Sequence, residues 1–343
     1  MPNLHESTLW ALLDRVVGTA RTERLFQALA VHPTLLRERV ETAPGGGTVT
    51  RAELAQALNM LLFEDVTRRV PMAAAYVGDA IRGGRRLVFD HGALRTVCTD
   101  NGALPRGELA FRRILEPLGF ECRGLYPLER LGMTGRAYTH QDLPEHIAQF
   151  FVSELHPERF SQPFQQAVAR VVGSSRDPLP LVAKDMLGEL AHHGALGFED
   201  ATQLLPNLVC CFDRQHQEPR WSDYQVLLAE SKEMAWIATE GNAFNHATDR
   251  VEDVGAVADR QRELGRPIKP EVEVSKSGRV RQTAFQATLV ERLFLDDAGA
   301  LIARQVPGSF HEFITRDEET PGVLDLRFDS GNATAIFKMT SKS

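Results

Sequence analysis

Apolar residues in the first part of the chain recur at helical spacing. Leu9, Leu12, Leu13 and Val16 form one stripe, and Leu54, Leu58, Leu61 and Leu62 form another. Gly45-Gly46-Gly47 marks a loop between the two, and Thr50 is placed to cap the second helix. Residues 1–76 therefore read as an N-terminal helical segment. From Arg85 the period shortens to alternation, with Leu87, Phe89 and His91 on one face of a strand. A helix opened by Pro105 and closed by Gly119 follows, then short strands divided by Gly124, Gly132 and Gly135. This order of strand, helix and strands over 77–141 forms a first βαβββ-like module. Helical periodicity returns over 142–231, broken at Ser174-Ser175, Pro178, Pro180 and Pro206, and reads as a helical insertion. Over 232–343 the first order recurs, followed by a tail. Residues 235–246 alternate as a strand, 251–264 suit a helix stopped by Gly265, and 271–294 with 309–316 supply more strands.

The recurrence extends to individual residues. Phe89-Asp90-His91-Gly92-Ala93-Leu94-Arg95 matches Phe244-Asn245-His246-Ala247-Thr248-Asp249-Arg250 in the pattern F-[DN]-H-[GA]-x-x-R. Each histidine is expected at the end of a strand that leads into a helix. Two copies of such a unit can bury their sheets as one curved pseudo-symmetric sheet, which brings equivalent positions face to face. His91 and His246 would then converge as two imidazole ligands of a transition metal, with Asp90 and Asn245 arranging their surroundings.

A centre for oxygen chemistry at Fe(II) also calls for a carboxylate. Glu312 is the best candidate, because alternation through Ser309-Phe310-His311-Glu312-Phe313-Ile314-Thr315-Arg316 points it where Phe310 and Ile314 point. A buried anion needs a cation, and Arg316 on the same face offers an ion pair as the alternative to a metal. Glu291 is the reserve ligand. Arg95 and Arg250, one turn past the histidines if the chain turns helical there, could each clamp a carboxylate, a salt bridge being preferred for Arg250. Ser275, Gln282 and Thr283 precede the Glu312 strand and are candidate substrate hydrogen-bond donors. His140, His146, His192, His193 and His311 have no repeated context and read as surface or supporting residues.

Composition narrows the classes further. The formal net charge of −7 gives no bulk attraction to nucleic acid, and no stretch approaches a membrane span. A cytoplasmic protein is expected, with no leader segment. Cys98, Cys122, Cys210 and Cys211 show no metal-type or secreted-type spacing and are expected as core thiols.

Three motifs, Asp90-His91-Gly92-Ala93-Leu94-Arg95-Thr96, Asn245-His246-Ala247-Thr248-Asp249-Arg250 and His311-Glu312-Phe313-Ile314-Thr315-Arg316, resemble those of the bacterial 2-oxoadipate dioxygenase/decarboxylase family of the vicinal-oxygen-chelate, glyoxalase-like superfamily. The resemblance runs over about 77–316. It implies an α+β fold of duplicated βαβββ modules curved around a metal site. It also implies Fe(II), replaceable by other divalent ions, on His91, His246 and Glu312, with Arg95 holding a substrate carboxylate. The implied reaction uses a small 2-oxo acid and O2, converting 2-oxoadipate to 2-hydroxyglutarate and CO2 as in lysine degradation. Better-known members are longer beyond the third ligand, which puts their C-terminal substrate contacts in doubt here. A glyoxalase-like lyase or isomerase, and a non-catalytic ligand-binding protein of the same fold, are the alternatives, and homo-oligomer formation is left open.

Overall fold

The computed structural model describes residues 4–38 and 47–329. Gly45 and Gly46 of the expected loop lie outside the described residues. Four N-terminal helices, Thr8–Val17, Thr19–Ala28, Arg51–Arg69 and Pro71–Arg82, carry the helical lead-in past residue 76. The third starts where a cap was expected. Thr50 accepts from the Glu53 backbone N–H, and the Glu53 carboxylate accepts from the Thr50 N–H at 2.8 Å.

The centre of the molecule is an eight-stranded mixed sheet in the spatial order Phe120–Leu128, Met133–His140, Gln149–Leu155, Phe89–Val97, His246–Arg250, Phe310–Arg316, Val280–Ala284, Glu273–Val274. Its two halves repeat one connection. In each, the first strand pairs in parallel with the last, Phe89–Val97 with Gln149–Leu155 and His246–Arg250 with Phe310–Arg316. A helix crosses between them, Leu109–Leu115 in one half and Val254–Glu263 in the other. The two first strands meet antiparallel at the centre, where Gly92 faces Ala247 and Ala93 faces His246. A hairpin, Leu289–Leu295 with Leu301–Pro307, extends the second half outside the sheet.

Strand alternation divides the sheet into two faces. One carries Leu94, Phe150, Val152, Ala247 and Phe313 into a large core shared with Leu54, Leu58 and Phe63 of the N-terminal helices. The other carries His91, Ala93, Arg95 and Phe151. The helices Gln162–Val172, Trp221–Glu230 and Lys232–Glu240 form a second core with Val97, Leu155 and the hairpin residues Phe294 and Val306. No helix among the described residues is long and apolar enough to cross a membrane.

Several local expectations are corrected. Residues 149–155, read as part of a helical insertion, form the fourth strand of the first half. Both its faces are covered, so Phe150-Phe151-Val152 shows a continuous apolar run in place of alternation. Residues 235–246 do not form a strand. Lys232–Glu240 is a helix whose residues from Glu233 to Glu240 are all buried, which removes the polar face that helical periodicity needs. Gly241, at φ +63°, ends it. The repeated motifs do not lead into helices either, since His91 lies near the start of its strand and His246 begins its own. Of the four cysteines only Cys211 is buried.

Gly92 is held small by close packing. A Cβ there would stand 2.2 Å from Cε2 of Phe244, the aromatic residue of the other repeat. Gly92→Ala should lower unfolding free energy by about 1–3 kcal/mol in urea denaturation, the cost of overpacking. Gly188→Ala, on an exposed helix face with nothing within 4 Å, should raise it by about 0.5–1 kcal/mol.

Candidate metal centre

Three neighbouring strands bring His91, His246 and Glu312 together on one face of the sheet, all buried. One ligand atom from each lies within 4.8 Å of the others. The imidazoles meet edge to face with centroids 5.6 Å apart, and His246 stacks on Phe310 at 4.8 Å. Each ring is oriented by the residue before it. Nδ1 of His91 is 2.9 Å from Oδ2 of Asp90, and Nδ1 of His246 is 3.2 Å from Oδ1 of Asn245. With Nδ1–H donating to these oxygens, the Nε2 lone pairs face the centre. The Thr248 hydroxyl, 3.1 Å from Nε2 of His91, completes that side.

Burial lowers the pKa of both histidines and so favours the neutral form that binds metals. Burial also pushes the Glu312 carboxyl up to about 8, against the partial opposition of Lys269. Neither Glu312 oxygen completes a hydrogen bond, although Oε2 stands 3.3 Å from Nε2 of His246. A buried carboxylate left in this way is costly, and a cation between it and the two Nε2 atoms would relieve the cost.

The ion-pair alternative for Glu312 fails on geometry. Arg316 turns to Asp90, with Nε 2.9 and 3.0 Å from the two carboxylate oxygens and Nη2 2.9 Å from Oδ2. Burial works to raise the Asp90 carboxyl, but Arg316 and the His91 ring outweigh it and hold the group well below the usual carboxylate range. The internal repeat also shows what is missing. His246 aligns with Phe310 and Thr248 with Glu312, whereas His91 aligns with Gln149 and Ala93 with Phe151. Phe151 thus occupies the first-half position equivalent to Glu312. The pseudo-symmetric site has three donors and one apolar corner, which leaves coordination positions for small molecules.

Arg95 lies on the His91 strand, two alternations further along the same face, and not on a helix. Burial lowers its pKa to about 10, with Glu233 opposing. Its guanidinium covers Trp236 at 4.9 Å, and Nη2 donates to Asn245 Oδ1 at 3.4 Å. A small cavity beside the ligands is lined by His91, Ala93, Arg95, Phe151, Ser153, Asn245, His246, Gln282 and Phe328, among others.

The other expected donors divide. Gln282 lines this cavity. Thr283, next on the strand, points to the opposite face and donates to Glu271 O at 3.4 Å. Ser275 is spent on its own turn, accepting from the Val280 N–H at 3.1 Å. Glu291 is exposed on the hairpin and so is no reserve ligand. Arg250 donates to Glu145 O at 2.9 Å and stands 3.9 Å from Asp90. His192, His193 and His146 are exposed, but His311 is fully buried among Phe63, Tyr76 and Phe313, and burial takes its pKa down to about 3. His140 is also buried, its Nδ1 accepting from the Asp142 N–H at 3.2 Å.

Thr248, Phe151, Ser153 and Phe328 were not foreseen. Thr248 was within reach of sequence reasoning, because it sits two residues after a proposed ligand on the same strand face. A second trio, Cys98, Glu154 and His156, also converges. Its atoms are already engaged. Cys98 accepts from Arg106 at 3.3 Å, Glu154 from Arg136 at 3.0 Å and the Glu108 N–H at 3.1 Å, and His156 pairs with Thr134 at 2.9 Å. Arg106 and Arg136 already supply positive charge to two of the three.

The family model for 2-oxoadipate dioxygenase/decarboxylase matches residues 53–321, which include all three converging side chains. The chain belongs to that family. It is 26% identical over 294 residues to the 2-oxoadipate dioxygenase/decarboxylase, chloroplastic/amyloplastic, of Oryza sativa subsp. japonica, a match spanning 75% of this chain and 70% of the relative. A "glyoxalase superfamily protein" of known structure from Ralstonia eutropha JMP134 is 54% identical, with TM-score 0.88 over 94% of this chain and 98% of the other. The hydroxyglutarate synthase of Oryza sativa, solved in complex with 2-oxoadipate, has TM-score 0.64 at 20% identity, covering 88% and 98% of the two chains. At that identity it shows the fold in common. The duplicated βαβββ architecture of this family member is therefore that of the glyoxalase-like superfamily.

The raised carboxyl has a measurable consequence. Because the Glu312 pKa is shifted upward from 4.5 to about 8, the folded chain holds a proton there that the unfolded chain has lost. Stability therefore falls as pH rises through that window. The lowered histidines act with the opposite sign, but only below 6.5. Urea unfolding of metal-free protein should show a loss of about 1 kcal/mol per pH unit between 6.5 and 8 from this group. Glu312→Gln should flatten that slope; an unchanged slope would mean that Glu312 is already ionised in the fold.

Proposed function

We propose that this family member is an Fe(II)-dependent dioxygenase converting 2-oxoadipate and O2 to 2-hydroxyglutarate and CO2, a reaction suited to lysine degradation. The observation that carries the reading is the buried Glu312 carboxylate, lacking a hydrogen-bond partner and facing two neutral imidazoles. Its donor set of two nitrogens and one oxygen fits a ferrous ion, and other divalent metals could occupy it by raw affinity. The family's dioxygenase/decarboxylase activity on 2-oxoadipate and the 2-oxoadipate held by the rice hydroxyglutarate synthase support the substrate class.

His91, His246 and Glu312 would hold the metal, which when bound supplies chelation of the 2-oxo acid and activation of dioxygen. The protein's own groups do the rest. Asp90 keeps the Nδ1 proton of His91 and hence its Nε2 lone pair directed inward. Phe151 leaves its corner without a donor. Arg95, buried on the same strand face as His91, would bind the far carboxylate of a diacid by charge-assisted hydrogen bonds and so fix which carbon lies at the ligands. Gln282 and Ser153 add polar atoms to the same cavity. Burial of the whole group excludes bulk water from the reacting end.

The test is oxygen uptake by apoprotein reconstituted anaerobically with Fe(II) and then given 2-oxo acids of different length. Uptake with 2-oxoadipate, matched by CO2 release and lost in His91→Ala, is the expected result. Arg95→Met should lower kcat/KM for the diacid roughly 100-fold while sparing a monocarboxylic 2-oxo acid. Turnover that needs metal but proceeds without oxygen would instead assign a glyoxalase-like lyase or isomerase.

A further inference from the structure

The cavity beside the ligands has a volume of about 30 Å³, room for one or two water molecules. A six-carbon diacid needs several times that space. The Phe328 ring stands in the wall of this cavity. Phe328 meets His91 edge to face with centroids 4.8 Å apart and lies 4.8 Å from Phe151 and 6.0 Å from Tyr126. With Ala93 and Ala137 these rings make a small apolar cluster on the ligand face, separate from the two large cores.

The segment bearing this ring is tied at several points. At its base the Arg316 guanidinium, already clamped on Asp90, donates from Nη1 to Asp325 O and Arg327 O, each at 2.9 Å. Gln149 donates to Leu326 O at 3.2 Å. Further along, the Phe328 N–H donates to the Tyr126 hydroxyl at 3.1 Å, the Asp329 carboxylate accepts from the Lys276 N–H at 2.9 Å, and the Arg316 guanidinium covers the Phe328 ring at 5.1 Å. Residues 325–329 belong to no helix or strand, and Phe328 is only partly buried. The segment is therefore tied to the same arginine that orients His91 through Asp90, and the Phe328 ring lies between that guanidinium and the His91 ring.

We infer that Phe328 belongs to the substrate site: its ring keeps the place of the acid's methylene chain and turns out of the cavity when the acid enters. The methylenes then lie against Ala93 and Phe151, between the chelating end at the metal and the far carboxylate at Arg95. This rests on the metal and substrate reading above. Its energetic consequence is that the native protein binds acid less tightly than a protein without the ring, because only the open fraction is competent.

Cobalt-loaded protein, titrated anaerobically with 2-oxoadipate by calorimetry, tests the inference, with the rate at which EDTA strips the cobalt as a second readout. Phe328→Ala should bind the diacid roughly tenfold more tightly than the native protein, with Phe328→Leu in between, and should release cobalt faster. Equal or weaker binding by the alanine variant, with the native protein binding normally, overturns the place-holding role and leaves the function reading intact. Faster cobalt release from the alanine variant when neither protein binds the diacid supports the movable ring and removes the substrate assignment instead.

Discussion

The fully buried pair of Arg316 and Asp90 organises the ligand face. Two opposite charges are withdrawn from water, which is tolerable only because the guanidinium meets both carboxylate oxygens and the remaining bonding capacity is used. Asp90 spends its other interaction on the His91 ring, and Arg316 spends its own on two backbone carbonyls of the 325–329 segment. Because Arg316 is committed there, it does not pair with the Glu312 carboxylate two alternations away on its own strand, whose oxygens complete no hydrogen bond. One ion pair thus orients His91, anchors the 325–329 segment and keeps Arg316 away from Glu312.

The duplication supplies the frame. Two equivalent strands run antiparallel at the middle of the sheet, and each bears the same motif, so the histidines must approach each other from opposite halves. The copies have since diverged where chemistry needs asymmetry. One histidine is backed by the charged Asp90 and the other by the neutral Asn245. One outer position is Glu312 and its equivalent is Phe151. A symmetric pair of carboxylates would bury a second anion on this face; the phenyl ring does not.

Placement of the site follows from the packing of the two faces. The N-terminal helices cover one face with an apolar core, which makes the sheet rigid behind the ligands. On the other face the apolar cluster is small, and the partly buried Phe328 closes it beside the cavity. Rigidity and access are therefore assigned to opposite sides of the same strands.

What the sequence by itself determined is the part of the protein encoded in local repetition. The F-[DN]-H-[GA]-x-x-R motif occurs twice because the sheet is made twice, and alternation around Glu312 marked an inward-facing acid. The helix cap at Thr50 and the stop at Gly265 were legible for the same reason, since each depends on neighbours in the chain. Burial on all sides erased the signal elsewhere. Gln149–Leu155 and Lys232–Glu240 are covered on every face, so neither shows the period of its own structure. Only the tertiary structure decided that Arg316 belongs to Asp90, that Arg95 lies on a strand, that His311 is buried and that Phe328 stands against His91. Each joins residues far apart in the chain, and chain spacing carries no information about which buried charge or ring the fold will bring beside another.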